Sequence, residues 1–164
     1  MDKRQLARTT TDSETLDELS RDEDYWVRWN VANNPNTLSK TLDYLSKSEY
    51  SNVRCCAAWN LNTTPETLDY LSKDKDLGVR CHVAINLNTS TETLDYLSRD
   101  EYWMVRWRVA QNSNTTSETL KQMSIDENHE TVKYYIKNNP DCPEETWRYL
   151  SALEILETLP QVST

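Results

Sequence analysis

One short phrase recurs along this chain at a fixed interval, and that interval limits the possible folds more than any other feature. Valine followed by arginine stands at Val27-Arg28, Val53-Arg54, Val79-Arg80 and Val105-Arg106, 26 residues apart each time, and Val132-Lys133 follows after 27. Threonine followed by leucine keeps step at Thr15-Leu16, Thr41-Leu42, Thr67-Leu68, Thr93-Leu94 and Thr119-Leu120, with Thr146-Trp147 in register after the extra residue. A period in the twenties marks a solenoid, in which each unit leans on its neighbours to bury an apolar face.

The period divides residues 1–164, read as one helical-repeat domain, into a lead-in (1–10), five full units and a C-terminal cap (142–160). The units are 11–36, 37–62, 63–88, 89–114 and 115–141. Each reads as two short helices. In the first, Leu42 and Leu45, Leu68 and Leu71, and Leu94 and Leu97 are three apart and share a face. The spacing Thr-x-x-Glu at Thr11, Thr63, Thr89 and Thr115 fits a capping box, with the cap free to slip by one residue; Thr37 has Lys40 in place of the acid. An acidic connector follows. In the second helix, Val27 and Val31, Val79 and Val83, and Val105 and Val109 are four apart, and Ala32, Ala58, Ala84 and Ala110 suit close helix approach. Asn34, Asn60, Asn86, Asn112 and Asn139 end the unit, read as helix stops that use the left-handed conformation in place of glycine. Asn36, Asn62, Asn88 and Asn114 extend a possible polar ladder. Helices this short are unstable alone, so stacking is the physical reason for the repetition. The final helix, through Leu150, Leu153, Ile155, Leu156 and Leu159, reads as a seal on the last layer, with a dimer contact as the alternative.

Glycine occurs once, at Gly78. That excludes glycine-rich phosphate loops, dinucleotide fingerprints and a nucleophile elbow. No enzyme, cofactor or small-molecule substrate is therefore expected. The net charge of −9 argues against a general polyanion binder. No apolar run approaches the roughly 18 residues of a membrane span, and the first residues lack a signal core, so a cytoplasmic chain without a membrane partner is expected.

Three groups are candidate sites. Arg28, Arg54, Arg80, Arg106 and Lys133 stack as a basic column, either a track for phosphates or an acidic partner, or an internal set paired with Asp17, Asp43, Asp69 and Asp95. The favoured reading is internal pairing. Aromatics are lopsided, with six Trp, nine Tyr and no Phe. Trp26, Trp29, Trp103 and Trp107 open second helices, and Tyr44, Tyr70, Tyr96 and Tyr149 form a first-helix column. Exposed Trp and Tyr suit an interface or base stacking, and the alternative, favoured for the Trp set, is that they fill space between layers. The position shared by Trp29, Cys55, Cys81, Trp107 and Tyr134 reads as buried or half-buried; its neighbour, shared by Asn30, Cys56, His82, Arg108 and Tyr135, reads as surface. Cys55, Cys56, Cys81 and His82 are of the types that bind metal, but one layer spacing is too long for shared zinc ligation, and free thiols are expected. His129 is expected to face solvent.

The consensus Val-Arg-x-x-Val-Ala-x-Asn-x-x-Thr-x-x-x-x-Leu-x-x-Leu resembles the leucine-rich repeat variant family, over about residues 11–150. "VRWNVANNPNT" (Val27–Thr37) is the nearest single match, and "VKYYIKNNPDCPEETWRYL" (Val132–Leu150) keeps the Asn-Pro step. The resemblance implies an all-α, right-handed superhelix of paired short helices, α/3-10 or α/α, with five full 26–27-residue repeats and a C-terminal capping helix. Family repeats are usually about 24 residues. Some members carry a cysteine-bound iron–sulfur cluster ahead of the repeats; residues 1–54 hold no Cys, so that cluster is not carried over. Short HEAT-like repeats are the alternative naming.

The resulting expectation is a scaffold for protein–protein interaction, with an unidentified protein partner. A basic patch on that partner could use the acidic first unit. The alternative is a nucleic-acid-binding repeat that uses the Arg and Trp columns. Partner-binding candidates are Trp26, Arg28, Arg54, Tyr70, Arg80, Tyr96, Trp103, Arg106 and Arg108. Structural positions are Val27, Asn34, Asn60, Asn86, Asn112 and Asn139. Recognition should reside in the letters that change between units, such as Cys81, His82, Ile85 and Tyr96.

Overall fold

Alternating leucine and valine faces build a stack of helix pairs. The computed structural model describes residues 2–158, with side chains to residue 155. The helices are α1 (Lys3–Thr9), α2 (Ser13–Leu19), α3 (Tyr25–Asn33), α4 (Ser39–Leu45), α5 (Ser51–Trp59), α6 (Pro65–Leu71), α7 (Leu77–Ile85), α8 (Thr91–Leu97), α9 (Trp103–Gln111), α10 (Ser117–Asp126), α11 (Glu130–Asn138) and α12 (Glu144–Thr158). Among the described residues every helix is α, so both members of each pair are α-helical. Residues 159 and 160 of the expected cap, including Leu159, lie outside the described residues.

The odd-numbered helices from α1 to α11 pack each on the next, while successive even helices from α2 to α10 make little contact. A stack with one tight layer and one open layer bends towards the tight one, so the odd helices form its inner side. Their closeness follows from the small side chains of Ala32, Ala58, Ala84 and Ala110, all fully buried. Between the layers lie Leu16, Leu42, Leu68, Leu94 and Leu120 from even helices, and Val27, Val53, Val79, Val105 and Val132 from odd ones, all 0–1% exposed. Burying each such side chain contributes about 1.5–3 kcal/mol, which replaces the cooperativity that a seven-residue helix lacks.

The lead-in is more than a tail. It folds as α1, packs on α3 as one odd helix packs on the next, and buries Ala7. Lys3 Nζ reaches Asp22 at 2.6 Å, and Arg4 Nε reaches Asp24 at 2.6 Å. The extra residue of the fifth unit is absorbed where α10 runs on to Asp126, three residues longer than α8.

At the helix ends the caps are slipped by the one residue allowed, and the reading of the asparagines is corrected. The caps of the even helices are Asp12, Thr64, Ser90 and Thr116, each accepting from the backbone N–H three residues on, and Leu38 makes no such bond. The preceding threonines face the other way: Thr37, Thr63, Thr89 and Thr115 donate their hydroxyls to the carbonyls of Val31, Ala57, Val83 and Val109. They tie off the end of the previous odd helix. The asparagines do not adopt the left-handed conformation either. Asn34, Asn60, Asn86, Asn112 and Asn139 are extended, with φ between −76° and −67°. They are present for their amides. Asn60 Nδ2 donates to the carbonyls of Ala32 and Asn34, each at 2.9 Å, while its Oδ1 accepts from the N–H of Asn62 at 3.0 Å. Asn86, Asn112 and Asn139 repeat the pattern on the preceding pair. The result is a buried asparagine ladder that satisfies helix-end carbonyls between layers.

Candidate interaction surface

The basic column sits at the start of the odd helices, and most of it is committed to internal pairing. Arg54 Nε and Nη2 grip Asp74 at 2.6 and 2.9 Å, and Arg80 grips Asp100 at 2.6 and 3.1 Å. Arg106 grips Glu127 at 2.8 and 3.0 Å. In each, Nη1 donates to the carbonyl six residues earlier, that of Ser48, Asp74 or Asp100. The hydrogen bond to Asp100, opposed by burial, holds Arg80 above the ordinary arginine value, and Asp74 acts likewise on Arg54. Pairing is thus internal, but the partners are the connector acids of the next pair and not the first-helix column. Asp17, Asp43, Asp69 and Asp95 instead bond the residues four on, Arg21, Lys47, Lys73 and Arg99. Their other oxygens accept from Thr41, Thr67, Thr93 and Thr119 of the next even helix.

Arg54 and Arg80 are buried, so they present no track for phosphates. Tyr70 and Tyr96 are exposed on the outer layer with Tyr44. Trp26 is exposed on the inner layer, while Trp103 is half-buried and Arg108 lies over the Trp107 ring, 3.9 Å from its centroid. His129 does not stand free in solvent. Its ring stacks on Trp103 with centroids 3.9 Å apart. The expected surface position proves half-buried at Asn30, Cys56, His82, Arg108 and Tyr135, and its expected buried neighbour is exposed at Tyr134. In the last pair, Tyr135 packs back on Trp107 of α9, with ring centroids 5.6 Å apart, and Tyr134 is exposed.

The outward face of the odd layer follows the spacing i, i+4, i+7. It comprises Trp26, Asn30 and Asn33 on α3, then Asn52, Cys56 and Trp59 on α5, and Gly78, His82 and Ile85 on α7. It continues with Met104, Arg108 and Gln111 on α9, and Thr131, Tyr135 and Asn138 on α11; none of these is buried. Arg108 is the one formally charged residue on it, in a chain that is 27% charged. Trp59 meets His82 edge to face at 5.9 Å, so the face is continuous from one helix to the next. The sequence reading picked out Trp26, His82, Ile85 and Arg108 but missed Asn33, Asn52, Trp59 and Met104. Extending the Trp26 position by helical spacing in each unit would have found them.

Among the described residues, no three His, Cys, Asp or Glu side chains are grouped to hold a metal. Cys55 and Cys56 are half-buried free thiols. No described helix is long and apolar enough to cross a membrane.

No family model matches the chain, and no curated protein matches it. A solved structure does. It is described as "a leucine-rich repeat variant with a novel repetitive protein structural motif", is 25% identical, and superposes with a TM-score of 0.65 over 81% of this chain. The chain is a helical-repeat protein whose fold is similar to that of the leucine-rich repeat variant. It spans about half the length of that relative, of which 52% is covered. It is a scaffold of paired helices whose constant letters are used in packing. Its changing letters are left on the inner face.

Proposed function

We propose that this helical-repeat protein is a non-enzymatic scaffold that binds another protein along the outward face of its odd helices. The observation that carries the reading is the composition of that face: Trp, Asn, Cys, His, Ile, Met, Gln, Thr and Tyr with Arg108 as its one charge. Interface cores are poor in charge and rich in Trp, Tyr and Met, and this face is both. A nucleic-acid surface needs several Lys or Arg side chains free to meet phosphates. Here Arg54, Arg80 and Arg106 are committed to Asp74, Asp100 and Glu127.

Photo-crosslinking residues placed at Asn33 or Asn52 on the inner face, and at Tyr70 on the outer one, test this in native extract. The expected result is one discrete protein adduct from the inner positions, lost in Cys56→Glu, and none from Tyr70. Equal labelling from both faces would sink the reading. So would saturable binding of single- or double-stranded oligonucleotides at low salt.

A further inference from the structure

One arginine of the basic column lacks the carboxylate that its equivalents hold. Asp74, Asp100 and Glu127 each do two things. One oxygen accepts the N–H two residues on, at Asp76, Tyr102 or His129, and the carboxylate meets the Nε and Nη2 edge of the arginine in the preceding odd helix. At the matching place before α5 stands Ser48. Its hydroxyl still accepts from the N–H of Tyr50, at 3.3 Å, but it is too short to reach a guanidinium.

Arg28 keeps its equivalents' pose without that partner. Nη1 donates to the carbonyl of Asp22 at 2.6 Å and to that of Glu23 at 3.0 Å. The Tyr50 ring lies against the guanidinium, 5.4 Å from its centroid. Among the described residues Nε has no hydrogen-bond partner, and Nη2 has only Glu49 at 3.9 Å, on a side chain that is 78% exposed. Arg28 itself is only 15% exposed. The unused edge borders a cavity of about 420 Å³ lined by the cations Arg21, Arg28 and Lys47 and the acids Asp22, Glu23 and Glu49, among others. The nearby Asp22 is held by Lys3, and Arg21 and Lys47 are held by Asp17 and Asp43.

We propose that the Nε/Nη2 edge of Arg28 is a binding site for a carboxylate supplied from outside the fold, seated where Asp74 sits against Arg54. A guanidinium edge matches the two oxygens of a carboxylate with two parallel N–H bonds, and Arg54 and Arg80 display that geometry in this chain. The carboxylate is either a free small acid or the side chain of a peptide Asp or Glu.

The test follows the Nε–Hε resonance of Arg28 by NMR, with Arg54 and Arg80 as internal references. The probes are acetate, N-acetyl-aspartate N-methylamide, inorganic phosphate and, as a neutral control, acetamide, all at constant ionic strength. Saturable movement of the Arg28 signal towards the positions of Arg54 and Arg80 is expected with both carboxylates and not with acetamide. A tighter response to the aspartyl compound assigns the site to peptides, and a tighter response to acetate assigns it to free acids. Ser48→Asp should place Arg28 with its equivalents before any addition and abolish the response, while Ser48→Ala should leave it intact. No saturable carboxylate response in the native chain overturns the proposal, as does a response that prefers phosphate or survives Ser48→Asp. Crosslinking from the inner face does not involve this site, so the two readings fail separately.

Discussion

Arg80 and Asp100 close a two-point contact between successive helix pairs, Nε to Oδ2 at 2.6 Å and Nη2 to Oδ1 at 3.1 Å, with side chains 10% and 7% exposed. Removing one member strands the other's charge in a site withdrawn from water, which costs more than the pair contributes. Asp100→Ala is expected to destabilise by about 3 kcal/mol, the low end for a broken buried pair because the site lies at the edge of the core. Glu144→Ala, which breaks the exposed pair with Arg148, should change little. Urea unfolding of the two variants checks the contrast, and equal effects would deny the Arg80 pair its role between layers.

These pairs also set an acid limit. Burial pushes the Asp74 carboxyl up, but the guanidinium of Arg54 and the N–H of Asp76 more than offset it and leave it below the usual range. Burial likewise raises Glu127, and Arg106 and the N–H of His129 bring it below its ordinary value. A carboxyl lowered on folding stabilises fully above its unfolded value, about 4, and that stability is lost as pH falls through the lowered native value. The urea midpoint should therefore hold from pH 7 to about 5 and drop below about 4. In Arg54→Gln the contribution of Asp74 disappears and the drop becomes shallower. An unchanged acid limb in that variant would contradict the assignment.

The repeat itself was legible because every unit needs the same leucines and valines at the same helical spacing, so Val79 and Leu94 could be placed in the core directly. The arginine partners were not legible. Asp69 stands 11 residues before Arg80 and Asp100 stands 20 after it, and the choice between them depends on how far one helix pair is displaced from the next. The asparagines were misread for a related reason. Asn86 at a helix end suggests a backbone conformation, whereas its use is a bond to Ala58 in the preceding pair, 28 residues earlier. Tyr134 was misplaced because α11 is the last odd helix among the described residues, so nothing covers the side that Cys55 and Cys81 turn to a following helix, whereas Tyr135 packs back on Trp107. The inner face was half legible, since its residues are marked by variation and not by recurrence.

The asparagine ladder gives a sharp substitution test. Asn86 is 2% exposed and its amide makes three bonds, to Ala58 and Asn60 as donor and from Asn88 as acceptor. Asn86→Ala leaves buried carbonyls without donors, at about 1–3 kcal/mol for the group stranded. Asn86→Asp should cost more, because a carboxylate would face the carbonyl oxygens of Ala58 and Asn60. The order native, then Ala, then Asp in thermal midpoint is expected. Faster amide exchange at Asn88 should accompany both changes, and a neutral Asn86→Asp would show that the ladder carries no load.

Cys55 and Cys56 offer a readout of packing at the inner layer. Burial pushes the Cys55 thiol up to about 12, with a further rise from the nearby Asp76, and burial pushes Cys56 up to about 11. Only the thiolate attacks a disulfide reagent, so these thiols are almost entirely unreactive near neutral pH. In the folded chain their rate with an aromatic disulfide should rise about tenfold per pH unit from 7 to 10 without a plateau. In guanidinium both should react at least a hundredfold faster at pH 8, with the apparent pKa of an ordinary thiol, about 8.5. A native-state plateau below pH 9 at either position, mapped by mass spectrometry, would mean that α5 and α7 open there and that the close packing of the odd helices is looser than described.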